Sequence, residues 1–289
     1  MPQLATQRVD QVIEEFFTLH LVVLKQILTG KSFKSIRKDF RREFTRFNYQ
    51  EVTSALALMK YDKNGELTAA IPLSPRRTDY RVTVDGAGSG YAMCAADALA
   101  VAYLFEERTV IDSVDAGSGK PIRIIIDPQN PGIEGYSDMT ITTPKTAIPS
   151  KKEGEISDVT VDTCPFIGFV EDFELIPEGQ RSLVNKTSFE QVHDMAKLGF
   201  DPEFMKSELK AYLAPLIAIF REGSLTDKKL AEIYLENSKN PFTMSVPFED
   251  LRRSVANQFI ARGVIRWVPR TKTLELTLQG KRIVLAFYN

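Results

Sequence analysis

The hydrophobic spacing of this chain changes period near residue 79, and that change limits the folds open to it. From 8 to 28, Val9, Val12, Ile13, Phe16, Phe17, Leu21 and Leu24 recur at helical intervals and share one broad face, with Gly30 as the stop. Shorter helical patterns follow at about 33–42 and 49–59, and then "YDKNGEL" (61–67), whose Asn-Gly pair signals a hairpin. From "YRVTV" (80–84) onward apolar and polar residues alternate one by one, the mark of half-buried strands. Asp85-Gly86 and Gly88-Ser89-Gly90 read as turns. "RTVIDSVDA" and "PIRIIID" read as a hairpin joined by "GSGK". "MTITTP" and "DVTVDTCPFIGFVE" read as further strands around a Pro- and Lys-rich loop at 144–154. One helix interrupts them, from Cys94 to about Glu107.

After Pro177 helical spacing returns, at about 188–198 and 202–221. "SLTDKKLAEIYLEN" offers Ser224 or Thr226 as an N-cap, and "PFEDLRRSVANQFIARG" is amphipathic and ends at Gly263. "VIRWVPRTKTLELTLQGKRIVLAF" reads as two or three strands. The predicted class is α+β. A helical, winged-helix-like domain (1–78) precedes a mostly antiparallel sheet core with one central helix (79–200). A second helix-and-hairpin domain, also winged-helix-like, occupies 201–289.

Composition narrows function mainly by exclusion. With 37 basic and 38 acidic residues the net charge is -1, which gives no general case for nucleic acid or an anionic membrane. Seven basic residues lie between Lys31 and Arg46 (Lys31, Lys34, Arg37, Lys38, Arg41, Arg42, Arg46) against Asp39 and Glu43. That run is open to a DNA-contacting helix pair, but the neutral chain favours a solvated face. The basic residues beside Trp267 are read in the same way. "MPQLATQRVD" lacks the design of a signal peptide, and "ALAVAYLF" and "YLAPLIAIF" are too short to span a bilayer. A cytoplasmic protein with no membrane partner is expected. There are two cysteines, too few for a disulfide framework, so both are expected as thiols.

Strong chemical motifs are few. "DAGSGKP" contains Gly-Lys, but Val114 stands where a phosphate loop needs its first glycine, and Pro121 where it needs Ser or Thr. His20 and His193 lie in different helical patterns and build no local zinc site. The thiols remain. Cys94 stands at the start of the central helix, where exposed N–H groups and the macrodipole are expected to lower its pKa from about 8.5. Asp97 projects from the same face one turn on. Cys164 is placed at a strand end before Pro165. Two soft sulfurs beside one carboxyl suit a thiophilic metal better than zinc or magnesium. Spacing alone leaves open the plainer reading of two small buried hydrophobes and a dipole-satisfying acid.

Five stretches resemble the alkylmercury lyase family, in its order and at about its spacing over roughly 50–200. They are "YDKNGELTAAIPLSPRRTDYRVTVDG", "YAMCAADAL", "AGSGKPIRIIIDP", "DVTVDTCPFIGFV" and "VHDMAKLGF". The resemblance implies Cys94, Asp97 and Cys164 as both the catalytic set and the mercury ligands. It implies protonolysis of the carbon–mercury bond of an organomercurial, giving a hydrocarbon and Hg(II) held by two thiolates. Either thiol attacks first and Asp97 supplies the proton. No cofactor is implied. External low-molecular-weight thiols or mercuric reductase would remove the product. The chain departs from the family's pattern at Pro165, where a second adjacent cysteine is usual, at Asp115, where some members carry a non-catalytic cysteine, and at Met93, where tryptophan is frequent. Residues beyond about 205 extend past the family's usual end. Two alternatives remain open: a sensor or carrier of thiophilic metals on the same scaffold, and a lyase acting on another carbon–heteroatom bond.

Overall fold

A computed structural model describes residues 2–135, 139–145, 163–240 and 246–288. It begins with α1 (Pro2–Leu28), which buries Val12, Ile13, Phe16, Val23 and Leu24 along one face and ends at Gly30, whose φ of 77° an L side chain rarely adopts. Ser32 caps α2 (Phe33–Asp39) by accepting the Ser35 N–H at 3.3 Å. The short α3 (Arg41–Arg46) and α4 (Tyr49–Ala55) complete the helical start. In the next turn the Asp62 carboxylate accepts the N–H groups of Asn64 and Glu66 at 2.8 and 2.9 Å. Those bonds close the hairpin of β1 (Met59–Tyr61) and β2 (Leu67–Ala70) that the Asn-Gly pair predicts.

That hairpin does not stand apart. It continues through β3 (Leu73–Ser74), β4 (Arg81–Val84) and β5 (Gly88–Ala92) into the central sheet. β6 (Thr109–Val114), β7 (Pro121–Asp127) and β8 (Asn130–Glu134) complete it. The result is an eight-stranded antiparallel sheet of order β1-β2-β3-β5-β4-β6-β7-β8. Gly88, Ser89 and Gly90 lie inside β5 rather than in a turn. A Cβ at Gly90 would sit 2.8 Å from the Leu28 carbonyl oxygen, so glycine there lets α1 pack directly on the strand.

The central helix α5 (Ala95–Phe105) buries eight of its eleven residues. Apolar on nearly all sides and rich in alanine, it fits between β4–β6 and α7 (Phe189–Gly199). Between these elements lie β9 (Thr140–Pro144), β10 (Phe169–Val170), α6 (Glu178–Arg181) and β11 (Val184–Ser188). β9 pairs antiparallel with both β10 and β11 in a second, three-stranded sheet. One expectation needs correction here. Cys164 is not at a strand end but opens a 3-10 turn, Cys164–Phe166, where Pro165 fixes φ and removes a ladder donor. Most of the loop expected at 144–154, and the strand-like 158–162, lie outside the described residues.

The last third holds α8 (Pro202–Glu222), α9 (Asp227–Asn237) and α10 (Phe248–Ala261), then a hairpin of β12 (Ile265–Val268) and β13 (Thr273–Leu276). Leu225 adds an antiparallel bridge to Leu274. A third strand was among the expectations. Leu278–Tyr288 instead forms a helix, α11. The Thr277 hydroxyl caps it by accepting the Gly280 N–H at 3.1 Å, and Ile283, Val284 and Phe287 bury at helical spacing. The Phe287 ring lies 5.3 Å from Phe16 and 6.3 Å from Phe47, so buried apolar side chains run without a break from α1 to α11. No helix among the described residues is long and apolar enough to cross a membrane.

Candidate active site

Cys94 is the N-cap of α5, in extended conformation (φ −152°, ψ −178°), and its carbonyl accepts the Ala98 N–H at 2.9 Å. Its side chain is thereby left free to point across the helix start. Asp97 lies in the first turn. Cys164 arrives from a segment far along the chain and is pinned by backbone. The Ile167 carbonyl accepts both the Ala95 N–H at 3.2 Å and the Tyr80 hydroxyl at 3.0 Å, which binds the Cys164 turn to the head of α5. Beyond it, Gly168 donates its N–H to the Thr142 hydroxyl at 2.8 Å and accepts the Thr142 N–H at 2.9 Å.

These anchors bring the three predicted residues together. The Cys94 Sγ lies 3.0 Å and the Cys164 Sγ 3.6 Å from the same oxygen, Asp97 Oδ2, and all three ligand atoms fall within 4.8 Å of one another. The thiols are 2% and 7% exposed. Burial pushes the Asp97 carboxyl up to about 6, although hydrogen bonds from both thiols favour its ionised form. Contact with Cys164, then burial and the neighbouring carboxylate, raise the Cys94 thiol well above its ordinary value. The thiolate expected from the helix dipole is therefore not the resting state. Loss of water and like-charge neighbours outweigh a dipole effect of about 1 kcal/mol. Burial, followed by the charges at Cys94, Asp79 and Cys164, likewise holds the Tyr80 phenol far above its usual range, so it stays a neutral O–H donating to the Ile167 carbonyl.

The cluster opens through Cys164 onto a cleft of about 410 Å³ whose walls include Tyr61, Arg76, Thr78 and Met93. Three of the chain's early strands, β1, β2 and β3, supply much of this wall, and Thr78 is fixed by a 2.6 Å bond to the Ala92 carbonyl. Sequence reading missed Tyr80, Thr78 and the Ile167 carbonyl. Only Tyr80 left a trace, as an aromatic residue at a predicted strand start. Asp115 stays outside the cluster. Burial pushes its carboxyl up, but the N–H groups of Glu171, Ser118 and Gly117 outweigh this and hold it below the usual range. It clasps the β6–β7 turn to the segment after β10. His193 also lies elsewhere, bonded to Tyr103.

The donor set suits a soft ion with a preference for few ligands, since two thiols and one carboxyl converge and harder oxygen donors are scarce. Residues 73–181 match the family model described as alkylmercury lyase, a segment that includes all three residues and Arg76, Thr78 and Met93 of the cleft. The match takes in three of the five stretches and the end of the first, while "VHDMAKLGF" lies beyond it, and the enzyme class that accompanies the family is carbon–mercury lyase. No curated protein matches the chain. Among solved structures, one described as the mercury-bound form of MerB2 is similar over 68% of this chain and 98% of its own, at 14% identity and a TM-score of 0.44. That likeness is loose, and the site stands on its own geometry.

Proposed function

We propose that this chain, whose residues 73–181 carry the alkylmercury lyase pattern, cleaves the carbon–mercury bond of organomercurials by protonolysis. One observation carries the proposal: two thiols share a single carboxylate oxygen at 3.0 and 3.6 Å. Cys164, the sulfur that lines the cleft, meets R–Hg–X first and replaces X, its proton leaving with X. Cys94 then adds to the same mercury. Metal binding requires its thiolate, so its proton must go somewhere, and Asp97 Oδ2 is in contact. A carboxyl with a pKa of about 6 holds that proton long enough to deliver it to carbon as the carbon–mercury bond breaks. The products are R–H and Hg(II) on two sulfurs, with Asp97 again ionised. Two thiol protons enter this sequence; one leaves with X and the other with the hydrocarbon.

The scheme uses no cofactor. External thiols, or mercuric reductase, would take Hg(II) from the buried pair. Catalysis in a cytoplasmic, thiol-rich setting fits these needs. The core at 79–200 would carry the chemistry, flanked by units at 1–78 and 201–289. The winged-helix plan for the flanking units is supported by helices followed by a hairpin at each end and, at the C-terminal end, by the Leu225–Leu274 bridge. A metal sensor would need the sulfurs but not a carboxyl held near neutrality between them, so Asp97 favours catalysis. The test is turnover: with excess thiol the purified protein releases benzene from phenylmercury, and Cys94→Ser and Cys164→Ser abolish release. Tight Hg(II) binding without hydrocarbon release would turn the reading to sensing. Full activity in both serine variants would end it.

A further inference from the structure

The thiol cleft is smaller than a second cavity among the described residues. This second cavity is a concave pocket of about 660 Å³ on the N-terminal helices, walled by Lys34, Arg37, Lys38 and Arg41, with the Asn48 and Gln50 amides at its side. Lys34, Arg37 and Lys38 recur at i, i+3 and i+4 on α2, Arg41 opens α3 after the break at Phe40, and all four are exposed, while Phe33, Ile36 and Phe44 turn into the core. Like charges at these intervals repel each other along a helix, and no local acid relieves them. Asp39 is taken by Lys31 at 2.6 Å, and Glu15 by Arg46 at 2.5 Å, both outside the pocket. Glu51, the pocket's one acid, faces Arg282 at 3.8 Å. Arg37 reaches only a neutral partner, Gln50 Oε1, at 3.2 Å. Lys34, Lys38 and Arg41 have no acidic partner among the described residues.

A chain of net charge -1 that gathers four cations around one cavity leaves a local field in want of an anion. A pocket of about 660 Å³ ringed by four cations has room for a short polyphosphate and not for a long duplex backbone. Arginine forks bind phosphate oxygens in pairs, and the side-chain amides provide neutral donors and acceptors beside them. We infer that this pocket binds a compact, multiply charged phosphate ester of nucleotide size. The site is independent of the thiol cleft and of its chemistry. Gln50 Nε2 donates to the Gly65 carbonyl at 3.4 Å, which ties the pocket to the β1–β2 turn.

Titration calorimetry of the full chain at low salt, with ATP in the absence of divalent metal, tests the inference. Saturable one-to-one binding is expected, with inorganic triphosphate competing and affinity falling linearly with log salt. Arg37→Ala/Arg41→Ala and Lys38→Glu should each weaken binding at least tenfold, whereas Lys228→Glu, an exposed cation on α9, should not. The pocket variants lie on an exposed face and relieve like-charge repulsion there, so melting that is unchanged or slightly raised is expected and shows that they are folded. No saturable binding, or binding that the pocket variants leave unchanged, would overturn the assignment. So would an oligonucleotide bound more tightly with each added nucleotide, because the occupant would then be an extended strand.

Discussion

The two ends of α5 each carry a small cluster of ionisable groups, and they are built for different purposes. At the N-terminal end Cys94, Asp97 and Cys164 meet around one oxygen, with thiols only 2% and 7% exposed. At the C-terminal end Tyr103 hydrogen-bonds His193 Nε2, and His193 Nδ1 lies 3.3 Å from an Asp194 carboxylate whose side chain is 79% exposed. On paper the second set, Asp–His–Tyr, looks the more catalytic. Its groups are nonetheless poorly placed to move protons. Burial lowers His193 despite the help of Asp194, and burial lifts Tyr103 to about 12, so both are neutral near pH 7. Asp97, at about 6, is the group that titrates near the working range. A relay of polar side chains is common; confinement that tunes one of them is what separates a site from a surface network.

The largest expected effect tests whether Asp97 is the acid or only a neighbour. Asp97→Asn keeps the shape and both sulfurs but cannot hold the proton. Hydrocarbon release should fall by roughly 10²–10⁴-fold, the usual worth of a positioned acid. Hg(II) affinity, read by competition with a thiol chelator, should change by no more than about tenfold, a shift of about 1.4 kcal/mol. Normal turnover in that variant would move the acid role elsewhere.

Next in size is the pH response. As the acid, Asp97 must be protonated, so single-turnover release from the preformed complex should decline as pH rises above about 6. Stability follows the same sign. The folded pKa of Asp97 lies above its unfolded value of 3.8, so its relative stabilisation of the fold is complete below that value and is lost as pH rises through about 6. Wild type minus Asp97→Asn, by denaturant unfolding at several pH values, should isolate this loss, whereas Asp62, Asp115 and Asp127, held low by their hydrogen bonds, act below that window. A flat difference between pH 4 and 7 would show that Asp97 is not held up.

How much of this was legible depended on whether side chains or backbone carried the information. The hairpin at 61–67 and the head of α5 were legible because Asn-Gly and the Cys94–Asp97 spacing act locally. The meeting of Cys164 with α5 was not, since it is fixed by the Ile167 carbonyl, a group every residue possesses. The cleft was hidden for a related reason: Tyr61 and Met93 come to one wall only once β1–β3 join β5. At α11 the segment "VIRWVPRTKTLELTLQGKRIVLAF" reads as two or three strands, but the Thr277 cap and the slot for Phe287 against Phe16 favour a helix at its end. The thiol pKa was misjudged because a helix dipole is visible in sequence and burial is not.

The smallest expected effect concerns the other end of α5. His193 stacks on Phe189 at 6.1 Å and bonds Tyr103, joining α7 to α5. His193→Ala removes one hydrogen bond and some ring contact, so it should cost about 1 kcal/mol of stability, more if Tyr103 finds no water. Turnover should stay within a factor of two, because α5 runs about 13 Å from Cys94 to Tyr103 at 1.5 Å per residue, too far for proton transfer without a relay. The decisive control is Tyr103→Phe, which keeps the ring and the packing and deletes only the hydroxyl. If the two variants lose stability alone, the C-terminal cluster is a clamp between helices. If either lowers turnover tenfold with its melting unchanged, the helix couples its ends, and the contrast between a tuned site and a structural network fails.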